Sequence, residues 1–68
     1  MKIKLNGEEK FLNSELCLKE LIKIELNSGE PKGVAVAVND FIVPMQKWED
    51  TMVKENDSVE IVHAVQGG

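Results

Sequence analysis

The sequence is poor in the residues that build disulfides and metal sites. Its 68 residues include one cysteine, Cys17, and one histidine, His63. No disulfide can form within the chain, and no cluster of Cys and His has zinc-ligand spacing. A chain of this length buries only about 60% of its unfolded surface, so the apolar core must stabilise the fold alone. We expect residues 1–68 to form a single small domain.

Arginine is absent, and positive charge is in the minority. Eight lysines and twelve carboxylates give a net charge of −4. This sign is wrong for neutralising a phosphate backbone, so nucleic acid is not an expected partner. No apolar run approaches the roughly 18 to 20 residues that span a bilayer, and the N-terminus lacks the regions of a signal peptide. We therefore expect a cytoplasmic protein with no membrane partner.

The motifs of most catalytic classes are also missing. The sequence has no G-x-x-x-x-G-K phosphate loop and no useful Ser, His and acid set. Cys17 is expected to cap a helix rather than act as a nucleophile, and His63 to be a partly buried structural residue. The pairs Glu8-Glu9 and Glu49-Asp50 are interpreted as solvated charges in polar turns. Trp48 is expected to cover one end of the core.

The first segment has the pattern of a β-hairpin. Apolar residues alternate with lysines over residues 1–5, as in a strand with one buried face. Asn6-Gly7 is typical of a tight type I′ turn, so residues 9–12 should form the returning strand. The register stays open: a two-residue turn places Leu12 on the inner face and leaves Phe11 outside, whereas a longer loop does the reverse.

One helix follows, between residues 17 and 26. Its apolar residues are spaced by three and four positions, namely Leu18, Leu21, Ile22 and Leu26. Cys17 and Glu20 have the spacing of a capping box, with a thiol in place of a hydroxyl. Ser14 is a competing N-cap that would lengthen the helix by a turn. Residues 27–29, followed by Pro31, predict the end of the helix.

The remainder predicts three more strands. Residues 33–39 are apolar on both parities, Asn39-Asp40 then turns the chain, and residues 41–43 form a short strand ended by Pro44. A short helical turn over 46–48 and a polar turn over 55–58 precede a last strand over 59–65. This order predicts an α+β fold. By analogy with ubiquitin-like β-grasp folds, a mixed sheet of four to five strands is crossed by one main helix, and the first and last strands pair in parallel.

The sequence ends in a diglycine that directly follows the last predicted strand. We expect residues 66–68 (Gln66, Gly67 and Gly68) to form a flexible tail that can thread a narrow channel, because glycine has no Cβ. The α-carboxylate of Gly68 is then the reagent. As an anion it is a poor electrophile and must first be activated, most simply as an acyl adenylate. The alternative is a frayed terminus or a boundary with no role.

Several short segments, in this order and spacing, resemble the ubiquitin-like sulfur carriers of thiamine biosynthesis, the ThiS/MoaD-like family that also contains the small subunit of molybdopterin synthase. The similarity covers essentially the whole chain. It lies in Lys2-Ile3-Lys4-Leu5-Asn6-Gly7, Leu18-Lys19-Glu20-Leu21-Ile22, Ala37-Val38-Asn39, Ile42-Val43-Pro44 with Trp48, Asp57 with Val59-Glu60-Ile61-Val62, and Gly67-Gly68.

The resemblance implies a carrier that is a co-substrate and not an enzyme. Gly68 would be adenylated by a ubiquitin-activating-type enzyme, converted to a thiocarboxylate with sulfur from a donor enzyme, and used by thiazole synthase. The partner enzyme would use ATP and magnesium, and the carrier, a monomer alone, would bind no cofactor. Three rival functions are the molybdopterin synthase subunit, a protein modifier joined to lysine, and a plain interaction module with an idle tail.

The sequence departs from this family at three positions. Met45 replaces a usual arginine, Cys17 a usual Thr or Ser, and Asn56 a usual glycine, which Asn can replace in the left-handed region.

A single helix covers only one sheet face, so one apolar set of the central strands must lie outside. We expect Val62 and Ala64, with outward residues of the strand from Val34, to dock the partner enzymes.

Overall fold

The computed structural model describes residues 1–26 and 33–63. Within these ranges the expected order of elements is confirmed, with five strands, one α-helix and one short 3₁₀ turn. They are β1 (Lys2–Leu5), β2 (Glu8–Phe11), α1 (Leu18–Leu26), β3 (Val34–Val38), β4 (Phe41–Ile42), the 3₁₀ turn (Met45–Lys47) and β5 (Ser58–His63). The predicted helix end at 27–29 and the end of the last strand beyond His63 lie outside the described residues.

The five strands form one mixed sheet in the order β2-β1-β5-β3-β4. β1 and β5 run parallel, and the other neighbouring pairs are antiparallel. A parallel pair needs a long crossover, and here the chain between β1 and β5 includes α1, β3 and β4. β5, the last strand, therefore lies in the centre of a β-grasp sheet, as the fold analogy predicted.

The β1–β2 hairpin has the shorter of the two predicted connections. Asn6 and Gly7 adopt φ angles of 52° and 84°, the left-handed conformation that a type I′ turn requires. The resulting register pairs Lys2 with Phe11 and Leu5 with Glu8. Leu12 is consequently buried, while Phe11 is 73% exposed. The two-residue alternative is confirmed, and Glu8-Glu9 lie in a strand rather than in the predicted turn.

The helix begins at Leu18, so Cys17 occupies the N-cap position and the alternative cap Ser14 is wrong. Half of the predicted capping box is present. The backbone N–H of Cys17 donates to Glu20 Oε1 at 3.3 Å. The thiol donates to the same carboxylate oxygen at 3.4 Å instead of accepting a backbone hydrogen bond. Cys17 caps through its main chain, because its thiol is a weaker acceptor than a hydroxyl.

The core lies between α1 and the inner face of the sheet. Leu18, Leu21 and Ile22 form the buried face of the helix, as their spacing predicted. The ten apolar side chains buried in the described part of the chain are Ile3, Leu12, Leu18, Leu21, Ile22, Val36, Trp48, Val53, Val59 and Ile61. An ion pair between Lys10 Nζ and Glu25 Oε1, at 2.7 Å, links β2 to the helix at the edge of this core.

Trp48 covers one end of the core, as predicted. Its side chain is 2% exposed, and its indole N–H donates to the carbonyl oxygen of Val43 at 2.9 Å. Its own carbonyl accepts the backbone N–H of Lys19, and that of Thr51 accepts the N–H of Leu18. These bonds fasten the segment around the 3₁₀ turn to the first turn of α1, where amide groups lack intrahelical acceptors.

Two further turns use left-handed residues in the way the sequence indicates. Asn39 and Asp40, with φ angles of 51° and 73°, connect β3 to β4. Asn56 has a φ angle of 69°, in the left-handed region that Asn was expected to adopt at this position. The side chain of Asn39 accepts the backbone N–H of Ser58 and donates to Asp57, so the two turns are joined beside the start of β5.

Candidate functional site

The face of the sheet turned away from α1 carries an exposed apolar set. Register places Ala35 of β3 opposite Val62 of β5, and Ala37 opposite Ile42 of β4. Val62 is 57% exposed and Ile42 71% exposed. We call these four residues, Ala35, Ala37, Ile42 and Val62, the outer patch. The residues that alternate with them, Val36 and Ile61, are buried against the helix, so the patch is the second apolar set that one helix cannot cover.

The outer patch corresponds only in part to the surface expected from the sequence. Val62 is exposed, as was expected, and the outward residues of β3, which the sequence left open, are Ala35 and Ala37. Ala64 falls outside the described residues. Ile42 was missed, although the two-residue turn at Asn39-Asp40 fixes its pairing with Ala37 and could have placed it on the same face.

One carboxylate lies beside the four residues of the outer patch. Glu60 is directly opposite Ala37 and two residues before Val62 on β5, so it shares the outward face with both. Its side chain is exposed. None of the ion pairs found among residues 1–26 and 33–63 includes it. The apolar outer patch is therefore bordered by one exposed carboxylate that forms no ion pair within the described residues.

The end of β5 is held on both sides. His63 pairs with Val34 of β3. On the other side β1 has ended, and Asn6 replaces the missing strand: its backbone N–H donates to the carbonyl of Val59 at 2.8 Å, and its side-chain oxygen accepts the N–H of Ile61 at 2.8 Å. β3 thus pairs with this strand as far as His63, and Asn6 bonds its other side as far as Ile61.

The distance from this strand end to the proposed reagent is bounded by chain geometry. Residues 64–68, which include Ala64, Gln66, Gly67 and Gly68, lie outside the described residues. An extended chain covers at most about 3.6 Å per residue, so five residues reach no more than about 18 Å from His63. Residue 68 therefore lies within about 18 Å of His63.

The other candidate residues show no catalytic grouping. His63 was expected to be partly buried, and this is wrong: it has the predicted inward parity but is exposed, because it pairs with the first residue of β3 at the end of the sheet. Cys17 is partly buried in its cap position. Glu49 pairs with Lys19 at the surface, and Asp50 is exposed. In the described part of the chain, no three His, Cys, Asp or Glu residues form a potential metal site.

Apolar exposure also occurs at the two edges of the sheet. Phe41 of the edge strand β4 is 76% exposed, and Met45 in the 3₁₀ turn that follows this strand is 54% exposed. Phe11 of β2 is exposed at the opposite edge. The exposure of Phe11 follows from the two-residue turn considered in the sequence analysis, whereas that of Phe41 and Met45 was not predicted. No helix in residues 1–26 and 33–63 has the length and apolar character needed to cross a membrane.

Comparison with known sequences gives a family match over nearly the whole chain. The sequence model of the ThiS family matches residues 3–68. A chain from Trieres chinensis, described as uncharacterized protein ycf40, is 32% identical over 65 residues, which cover 94% of this chain and 85% of that protein.

Two solved structures share the fold. The crystal structure of a thiamine biosynthesis protein (ThiS) from Geobacter metallireducens is 26% identical, with a TM-score of 0.83 and full coverage of both chains. The solution NMR structure of a thiamine biosynthesis protein from the same organism is 26% identical, with a TM-score of 0.77, and covers all of this chain and 88% of the other. The β-grasp topology derived above is therefore that of known ThiS structures.

Proposed function

The chain belongs to the ThiS family, and we propose on this basis that it is a sulfur carrier of thiamine biosynthesis, a co-substrate rather than an enzyme. The observation that carries the proposal is the family match itself, which extends to Gly68 and so includes the diglycine. The shared fold with a ThiS crystal structure supports it. The absence of a catalytic motif from the sequence agrees with a function performed by the main-chain carboxylate.

The proposed chemistry takes place at Gly68. Its carboxylate oxygen attacks the α-phosphorus of ATP on a ubiquitin-activating-type enzyme, and pyrophosphate leaves. Sulfide released by a donor enzyme then attacks the acyl carbon of the adenylate, AMP leaves, and the product is a thiocarboxylate. Thiazole synthase accepts that sulfur. ATP and magnesium belong to the activating enzyme, because a bare carboxylate needs activation that this chain has no residues to provide.

The geometry suits a carrier whose reagent works inside other proteins. Gly67 and Gly68 present no side chain to a narrow channel, and Gln66 is the last residue with one. The central strand β5 carries both the outer patch and, beyond His63, the tail. We propose that Val62 and Ala64, with Ala35 of β3, form the surface on which the activating enzyme and thiazole synthase dock. A partner docked there would find the carboxylate within about 18 Å of the strand end, because the five residues between them reach no further.

Intact mass spectrometry tests the sulfur chemistry. The purified chain is incubated with ATP, magnesium, a sulfur donor and the activating enzyme of the same organism, and the expected result is replacement of one oxygen by sulfur. Deleting Gly68 should abolish this change, whereas Cys17→Ser should retain it, which separates terminal chemistry from thiol modification. Covalent conjugates to other proteins would favour a protein modifier. An unchanged mass with an enzyme shown to be active would refute the proposal.

A matched pair of variants tests the docking surface. Val62 and Ile24 are similarly exposed, at 57% and 60%, but Ile24 lies on the helix. Val62→Lys should raise the KM for adenylation, because it places a charge in the proposed interface. Ile24→Lys should leave the KM unchanged. Both variants should retain the wild-type circular dichroism spectrum, and equal KM values for all three proteins would exclude docking through Val62.

A further inference from the structure

Glu60 gives the outer patch a chemical requirement that its apolar residues do not. The β3–β5 register fixes it opposite Ala37, in the same row as Ile42, and the next outward residue of β5 is Val62. A partner surface that covers Val62 and Ala37 together also covers or borders Glu60. Any partner docked on the patch must therefore accommodate this carboxylate.

The carboxylate is not neutralised by the lysines of the described residues. Those lysines that form ion pairs are Lys2, Lys10 and Lys19, whose partners are other glutamates. Lys4 is on the same sheet face, but it lies opposite Ser58 and belongs to a different row. Lys4 does not come within 4 Å of the Glu60 carboxylate. Glu60 thus presents its charge outward.

Burial of such a charge is costly unless a counter-charge accompanies it. Removing an ionised carboxylate from water is strongly unfavourable unless it is paired and hydrogen-bonded. Apolar contacts with two alanines, Ile42 and Val62 alone would be offset by that cost. We propose that Glu60 is a specificity-determining residue, which pairs with an arginine or lysine that the activating enzyme presents within its apolar docking surface. This inference rests on the proposed function.

The same charge discriminates against unsuitable partners. An enzyme with a purely apolar or acidic surface at this point leaves Glu60 unpaired or repelled, which raises the free energy of the wrong complex. The carrier as a whole is negative, at −4, so the attraction also accelerates encounter with a basic surface. Glu60 adds to this general attraction a fixed position within the interface.

The experiment measures ATP–pyrophosphate exchange by the activating enzyme of the same organism, with the carrier concentration varied at several NaCl concentrations. Glu60→Gln keeps the size and polarity of the side chain and removes its charge. We expect the KM to rise about tenfold or more with kcat nearly unchanged, since loss of one member of a desolvated ion pair weakens binding by this order or more. The rise of KM with salt should also become less steep.

Asp50→Asn is the matched control. It removes the same charge from an exposed residue beside the first turn of α1, on the other layer of the fold, and should leave the KM unchanged. Thermal unfolding of both variants verifies folding. Equal KM and salt dependence for wild type and Glu60→Gln would overturn this inference and leave the proposed function standing. No exchange with the wild-type chain, by an enzyme shown to be active, would overturn both.

Discussion

Asn6 has two structural roles, one in the β1–β2 turn and one as a hydrogen-bond acceptor, and its replacement by glycine separates them. Its φ angle of 52° forms the β1–β2 turn, while its side-chain oxygen accepts the N–H of Ile61 at 2.8 Å, 55 positions away in sequence. Glycine adopts the left-handed conformation without strain, although it loses more backbone entropy on folding. Asn6→Gly therefore preserves the turn and removes the only acceptor that the described residues offer to Ile61 on that side.

The loss can be estimated from this one hydrogen bond. A typical bond contributes about 0.5–1.5 kcal/mol, and an amide left unpaired and partly shielded costs about 1–3 kcal/mol. We expect Asn6→Gly to lower the free energy of unfolding by about 1–2 kcal/mol. At this chain size each kcal/mol corresponds to about 4–8 °C in the unfolding temperature. Urea titration measures the loss, and amide hydrogen exchange at Ile61 locates it.

Asn56→Gly is the control for this measurement. Asn56 also has a left-handed φ angle, of 69°, but its side chain forms no hydrogen bond within residues 1–26 and 33–63. The two variants share the chemical change and differ in the bond to Ile61. If both lose the same stability, or if exchange at Ile61 is unaffected by Asn6→Gly, the reasoning is refuted.

Two other predictions concern the stability contributed by Trp48 and by the N-cap of α1. Trp48→Phe should destabilise the fold by about 1–3 kcal/mol, because it removes the 2.9 Å hydrogen bond to the carbonyl of Val43 and leaves a cavity where the side chain is only 2% exposed. Urea unfolding monitored by circular dichroism measures this loss. Cys17→Ser should raise the free energy of unfolding by about 0.5–1 kcal/mol, since a hydroxyl at the N-cap accepts a hydrogen bond from a backbone N–H that the thiol does not accept. A lower unfolding temperature for this variant would contradict the prediction.

The order of elements could be predicted because each part of the chain has its own periodicity. Alternation over residues 1–5, the Asn6-Gly7 turn and the helical spacing from Leu18 are local signals, and local backbone preferences agree with them. The parallel pairing of β1 with β5 came from analogy. No local pattern specifies which distant strands meet, since that depends on how the crossover packs.

Side-chain environments were harder to predict than elements. His63 has the inward parity that was expected, yet it is exposed, because parity says which way a side chain points and not whether another layer extends over it. The bond from Ile61 to Asn6 joins residues that only the folded sheet brings together. Ile42 could have been placed on the outward face from the length of the Asn39-Asp40 turn alone.

The location of the candidate site follows from the number of layers in the fold. β3 and β5 are central strands with apolar residues on both parities, and a third layer would bury both faces. In the described residues α1 covers only the inner face, so Val62 and Ile42 remain in water at a free-energy cost that a partner can recover. Because β5 also leads to the diglycine, the contacts that recover this cost would orient the strand from which Gly68 extends. In the proposed function, binding of the partner and delivery of the carboxylate would therefore be coupled through a single strand.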